Sequence, residues 1–174
     1  MADECFRHPR LAAVYDALDP DRGDLDAYTR MAEEFGARRV LDIGCGTGVF
    51  ALLLAGRGVE VVGVDPARAS IEVARGKAGG DRVRWIEGDA TSLPALRVDL
   101  ATMTANAAQE ITDTRLWHRT LKGAYEALRP GGASYSRRGT RTGVPGRSGT
   151  RSGPTGSRRS PAWARSRAGA GWWR

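Results

Sequence analysis

The sequence predicts an α/β protein built on a doubly wound, mostly parallel sheet, and three observations carry that prediction. Short apolar strands alternate with amphipathic helices from Arg38 to Leu128, the grammar of crossover units feeding a parallel sheet. Val59–Val64 is rich in valine over its whole length, as in a strand buried on both faces. The strand before it runs into Gly44-Cys45-Gly46-Thr47-Gly48 and then a helix, the turn where such sheets present backbone amides to a ligand.

Taken in order, residues 1–36 read as a helical segment. His8-Pro9 allows a helix start, and Leu11, Val14, Tyr15 and Leu18 recur at helical spacing. Asp19-Pro20-Asp21-Arg22-Gly23 is a turn by composition. Asp24 then caps a second helix whose apolar face is Leu25, Tyr28, Met31, Ala32 and Phe35, closed by Gly36. Val40–Ile43 is the first strand, Thr47–Ala55 a helix, Val59–Val64 the second strand and Ala67–Lys77 a helix ended by Gly79-Gly80. Val83–Ile86 and Val98–Met103 are further strands. Asp113–Leu128 is a helix with Trp117, Leu121, Ala124 and Leu128 on one face, which leaves His118 on the polar side.

The chain of 174 residues suffices for one sizeable core. It holds no apolar run approaching the roughly 18 residues of a membrane span and no signal-peptide pattern, so it reads as soluble and cytoplasmic, with no membrane partner. Cys5 and Cys45, with His8 and His118, are too few for a disulfide framework or a metal cluster, and no metal is expected. The net charge of +7 belongs to one end. Residues 1–132 carry 20 acids against 17 bases, whereas residues 133–174 carry 10 Arg and no acid.

The glycine turn reads Asp42-Ile43-Gly44-Cys45-Gly46-Thr47-Gly48. A dinucleotide loop wants G-x-G-x-x-G, but Val49 stands at its third glycine and Gly48 comes one place early. Asp65 ends the second strand, where a carboxylate can accept both hydroxyls of a ribose or cap the following helix. Gly88-Asp89-Ala90 follows the third strand, and Leu128-Arg129-Pro130-Gly131-Gly132 follows the last helix.

In this order, D-x-G-x-G-x-G, Asp65, Gly88-Asp89-Ala90 and Arg129-Pro130-Gly131-Gly132 resemble the class I S-adenosylmethionine-dependent methyltransferases, of Rossmann-like fold and small-molecule type, over residues 37–132. The resemblance implies cofactor contacts at Asp42, Gly44, Cys45 and Gly46 against the methionine part, at Asp65 on the ribose, at Asp89 and Ala90 by the adenine, and at Thr104 after strand four. It implies S-adenosyl-L-methionine as cofactor and a small-molecule methyl acceptor as partner. The segment Thr102–Gln109 lacks an N-P-P-Y type motif, and no residue is assigned as general base, so the catalytic residue is unknown. Cys45 reads as a small buried filler rather than a nucleophile. Tyr15 reads as core or as a cover over the cofactor, and Asn106 as a cap or a substrate contact.

Beyond Gly132 the grammar stops. Residues 133–174 contain no Leu, Ile, Phe or Met, so they are expected to be disordered and the sheet to be incomplete after its fourth strand. Codons exist for residues 132–141 that, read one nucleotide earlier, spell R-L-V-L-E-T-R-D-P, a strand and exit loop of the missing kind. The tail therefore reads as out-of-frame sequence that leaves strand four a bare edge and threatens activity. Two rival functions follow from the same residues. One is an NAD(P)-dependent oxidoreductase, disfavoured by the glycine order. The other is a non-enzymatic RNA-binding protein using the basic tail, disfavoured because the tail has no repeats and few interleaved aromatics. Nucleic acid is thus not the expected partner.

Overall fold

The computed structural model describes residues 4–18 and 20–136. Its elements are α1 (Glu4–Arg7), α2 (Pro9–Leu18), α3 (Leu25–Glu34), β1 (Arg39–Ile43), α4 (Val49–Gly56), β2 (Glu60–Asp65), α5 (Arg68–Gly76), β3 (Val83–Glu87), β4 (Val98–Met103), α6 (Ala107–Glu110), α7 (Thr114–Ala127) and β5 (Leu128–Ser136). The five strands form one sheet in the order β3-β2-β1-β4-β5, and every pairing is parallel. The chain steps outward from β1 to β3 on one side, then crosses to β4 on the other. That reversal opens a crevice at the carboxyl ends of β1 and β4, where sheets of this kind receive ligands.

Strand alternation sorts the core into two layers. Val40, Val61, Val83 and Leu100 face Leu25, Tyr28 and Met31 of α3 and Phe50 and Leu54 of α4. Leu41, Ile43, Val62, Val64, Ala101 and Met103 face Ala124 and Ala127 of α7. The apolar face expected for α3 is buried as far as Ala32, but Phe35 at its end is 46% exposed. Asp24 does not cap that helix. Its own backbone is helical, it gives no cap hydrogen bond, and its carboxylate pairs with Arg22 at 3.4 Å. Of the amides it would have served, that of Asp26 is taken by the turn before it, donating to the Gly23 carbonyl at 3.3 Å. Asp113, by contrast, caps α7 by accepting from the Leu116 amide at 2.7 Å.

Helix α7 packs closely against the short turn Ala90–Ser92 that follows β3. A Cβ on Gly123 would stand 1.7 Å from the Ala90 carbonyl oxygen, so only glycine lets the α7 backbone pass the short turn Ala90–Ser92. At the amino ends of the strands, Asp99 accepts from the Arg38 and Arg39 amides at 2.7 and 2.9 Å and pairs with Arg129. One carboxylate thereby ties the entries of β1, β4 and β5.

The expectation that the sheet ends at β4 is corrected. Leu128–Ser136 forms a fifth parallel strand, with Leu100 opposite Ala133, Thr102 opposite Tyr135 and an irregularity between Val98 and Leu100. Two causes suffice for this. A parallel edge is held by main-chain bonds that require no aliphatic side chain, and Tyr135 sets its ring edge-on against Tyr28 at 5.7 Å. The disorder expected from Ala133 onward therefore fails for residues 133–136. The remainder of the expected tail, 137–174, lies outside the described residues.

Candidate functional site

Gly44 and Cys45 both donate their amides to the Val64 carbonyl, at 2.8 and 3.2 Å, which folds the end of β1 over the end of β2. Asp65 completes the attachment. Its Oδ2 accepts from the Gly46 amide and its Oδ1 from the Ala67 amide, each at 2.8 Å. The carboxylate is buried, and burial pushes it up while these two amides pull it down, with a net rise. Of the two roles expected at Asp65, ribose acceptor and helix cap, the Ala67 contact serves the start of α5, while the bond from the Gly46 amide is a partner the sequence did not suggest.

Gly46 has φ +53, and among the described residues, its chain neighbours aside, no atom lies within 4 Å of the point its Cβ would occupy. The loop therefore turns in the left-handed region and keeps its outer side open. Below it, Asp42 is wholly buried. Thr102 on β4 brings its hydroxyl 3.4 Å from Asp42 Oδ1, but Oδ2 has no hydrogen-bond partner among the described residues. Burial first, and the Asp65 carboxylate second, raise Asp42 to about 7, against smaller opposing pulls from Thr102 and Arg22. An orphaned buried carboxyl oxygen costs free energy unless a donor arrives.

The other expected residues fall into two groups. Asp89 lies at the end of β3 and accepts from the Thr91 amide and hydroxyl through Oδ1, so it shapes the turn there. Thr104, buried at the end of β4, accepts from the Ala107 amide at 3.2 Å. It precedes Ala105, whose φ of +48 is rare for a residue with a side chain. Cys45 and Ala90 are packed inward, at 8% and 1% exposure, so they can offer a ligand backbone atoms only. Burial pushes the Cys45 thiol well up, which keeps it neutral and fits a filler. Asn106 precedes α6 without capping it and is exposed. His118 is exposed on α7.

Sequence reasoning missed the N-terminal contribution. Thr47, in the loop, donates its hydroxyl to Asp16 of α2 at 2.6 Å. Lys77 pairs with the same carboxylate and donates to the Thr47 carbonyl at 2.7 Å. Arg22 reaches the field of Asp42 from the turn after α2. No spacing rule links Asp16 to Lys77, since only the fold brings them together. Tyr15 packs against Phe6 with ring centroids 4.8 Å apart and ring planes tilted by 51°. A groove of about 640 Å³ lined by Arg39, Glu60, Arg82, Arg84 and Leu96 sits at the amino ends of the strands, away from the glycine loop.

A family model described as "Methyltransferase domain" matches residues 40–132, just over half of the chain. The chain belongs to that family. Its methyltransferase domain is of the class I, S-adenosylmethionine-dependent kind. The domain is similar to the cypemycin N-terminal methyltransferase of a Streptomyces species, 34% identical over 140 residues, covering 78% of this chain and 57% of that one. Among solved structures it is similar to CcbJ methyltransferase of Streptomyces caelestis, at TM-score 0.64 and 26% identity over 78% of this chain and 58% of that one. It also matches CalS10 of Micromonospora echinaspora, an amino pentose methyltransferase solved with S-adenosylmethionine bound. That match has TM-score 0.59 and 28% identity, covering 68% and 53% of the two chains. The chain spans about half the length of the curated relatives it matches. Among the described residues, no helix of the methyltransferase domain is long and apolar enough to cross a membrane.

Proposed function

We propose that this protein transfers a methyl group from S-adenosyl-L-methionine to a small-molecule acceptor. The observation that carries the reading is the glycine loop held over the β1–β4 crevice by the Asp65 carboxylate, with Gly46 open on its outer side. The residues suit the cofactor. Asp42 Oδ2 lies unpartnered beneath the loop among the described residues, so a cationic amino group would reach it only when the loop shifts to expose it. Asp65 has lone pairs beyond those given to Gly46 and Ala67, in the position to take ribose hydroxyls. Asp89 Oδ1 serves Thr91, which leaves Oδ2 to accept from the adenine amine. Gly44, Cys45, Ala90 and Thr104 would contribute main-chain contacts and walls.

When bound, the cofactor supplies an activated methyl on a sulfonium. The protein's task is then alignment of the acceptor, which alone can account for a large part of the rate. We assign to the exposed Asn106, beside the backbone turn at Ala105, the role of holding an acceptor polar group. No general base is assigned, and displacement at a sulfonium does not demand one from the protein when the acceptor arrives as a free amine.

Small-molecule acceptors are supported by relatives that include an amino pentose methyltransferase and demethylmenaquinone methyltransferases. The mildly acidic charge of residues 1–132 gives a polyanion no reason to approach. A cytoplasmic site of action follows from the use of an intracellular cofactor. Residues 133–174 are proposed to be out-of-frame sequence. Methyl-labelled cofactor offered with amino sugars, quinols and short peptides tests the reading. Label transferred to one class supports it, and label transferred only to RNA overturns it.

A further inference from the structure

The described part of α2 has little apolar reason to stay where it is. It buries only Ala12, while Leu11, Val14 and Leu18 are 44%, 45% and 78% exposed. Burial of so small a side chain contributes on the order of 1 kcal/mol. What moors α1 and α2 is largely polar. Ser70 of α5 donates its hydroxyl to the Phe6 carbonyl at 2.9 Å. Asp16 accepts from the Thr47 hydroxyl at 2.6 Å and pairs with Lys77, which itself reaches the Thr47 carbonyl at 2.7 Å.

These three residues close a ring around the middle of the glycine loop. Thr47 is buried, follows Gly46 directly, and has its hydroxyl and its carbonyl both taken by the ring. The next amide along, Gly48, bonds back to the Cys45 carbonyl at 2.9 Å. The loop is thus gripped on one side by Asp65 through Gly46 and on the other by Asp16 and Lys77 through Thr47. Neither Asp16 nor Lys77 needs to touch the cofactor for this to matter.

We propose that Asp16 is a positioning residue: with Lys77 it clamps Thr47, so that docking of the N-terminal helices fixes the glycine loop in its cofactor-binding shape. The inference rests on the reading of that loop as the cofactor site. Coupling runs both ways, because a loop held by the cofactor also holds the helices. Loosening the clamp therefore raises the release rate of the cofactor more than it lowers its capture rate.

The test uses the full chain and S-adenosylmethionine, with dissociation constant and release rate read alongside the melting temperature. Asp16→Ala and Lys77→Met are each expected to weaken binding about tenfold, mostly through faster release. Combined, they are expected to weaken it no more than Asp16→Ala alone, since both act through Thr47. Thr47→Ser keeps the hydroxyl and should bind like the parent, while Thr47→Val should match Asp16→Ala. Ser70→Ala loosens α1 without touching the loop and serves as the structural control. The proposal is overturned if Asp16→Ala and Lys77→Met lower the melting temperature as Ser70→Ala does but leave the release rate unchanged, or if their effects on affinity add. If Asp16→Ala does not fold, the Thr47 pair decides alone, and equal affinities for Thr47→Ser and Thr47→Val overturn it. Failure of the parent chain to bind the cofactor at all would instead strike the reading of the site.

Discussion

The Gly46 amide donates to Asp65 Oδ2 at 2.8 Å, and this contact joins the loop after β1 to the end of β2. The other oxygen of the same carboxylate holds the Ala67 amide just ahead of α5. A single buried side chain thus sets the spacing between the glycine loop and the end of the next strand. The arrangement explains why the carboxylate has to be at the strand end, and several outcomes depend on it.

Asp65→Asn should bind S-adenosylmethionine about 10- to 150-fold more weakly. A hydrogen bond to a charged group contributes roughly 1.5–3 kcal/mol, and the neutral amide cannot accept on both sides at once. Titration calorimetry reads this directly. An unchanged dissociation constant with the fold intact would remove Asp65 from the site.

The protein should be more stable at pH 5 than at pH 8. Asp42 is raised to about 7, chiefly by burial, from 3.8 in an unfolded chain. Between those values the folded state keeps a proton the unfolded chain has released, so stability falls as pH rises. Asp65 is shifted the same way, also chiefly by burial. Asp99 moves oppositely. Its burial raises it, but hydrogen bonds from Arg129 and the Arg38 and Arg39 amides outweigh that and hold it low. Its stabilisation is lost only below the ordinary carboxylate range, outside this comparison. Urea unfolding at the two pH values should show the difference, and Asp42→Asn should remove most of it. A parent chain more stable at pH 8 would contradict the assignment.

Gly123→Ala should lower the melting temperature by about 6–12 °C. The new Cβ meets the Ala90 carbonyl, and backbone on both sides can yield only by separating α7 from the Ala90–Ser92 turn. Overpacking of this kind costs about 3 kcal/mol, at about 2–4 °C each for a domain of this size. Calorimetric melting of the variant checks it, and an unshifted midpoint would mean the helix is free to slide.

Most of the fold was legible in the residues because it is written in local patterns. The valines of β2, the glycine turn after Asp42 and the Asp113 cap each declare their element within a few positions. The placement of Asp42, Gly46 and Asp65 at or just after the ends of β1 and β2 was legible in the same way. What escaped reading depends on partners far apart in the chain. The Asp16–Thr47–Lys77 ring joins three elements, and β5 owes its place to pairing with β4 and to the Tyr28–Tyr135 contact rather than to aliphatic content. Asp24 looked like a cap and is not one, because a turn carbonyl reached the amide first.

A chain ending at Gly132 should therefore be less stable than one ending at Ser136. The shorter chain loses the pairing of Ala133–Ser136 with β4 and the ring of Tyr135 from Tyr28. The ring pair alone contributes about 0.5–1.5 kcal/mol beyond its buried area, and the bare β4 edge invites association. Melting and light scattering of the two chains should differ in that direction. Equal behaviour would return the strand to the status of tail.

The most direct test of the account is calorimetric titration of the full chain with S-adenosylmethionine and, separately, with NAD and NADP. Saturable one-site binding of S-adenosylmethionine is expected, lost in Gly46→Val, where a β-branched side chain would fill the open side of the loop at a positive φ. No comparable heat is expected from either dinucleotide. Saturable binding of a dinucleotide in place of S-adenosylmethionine, or normal binding by Gly46→Val, would contradict the account.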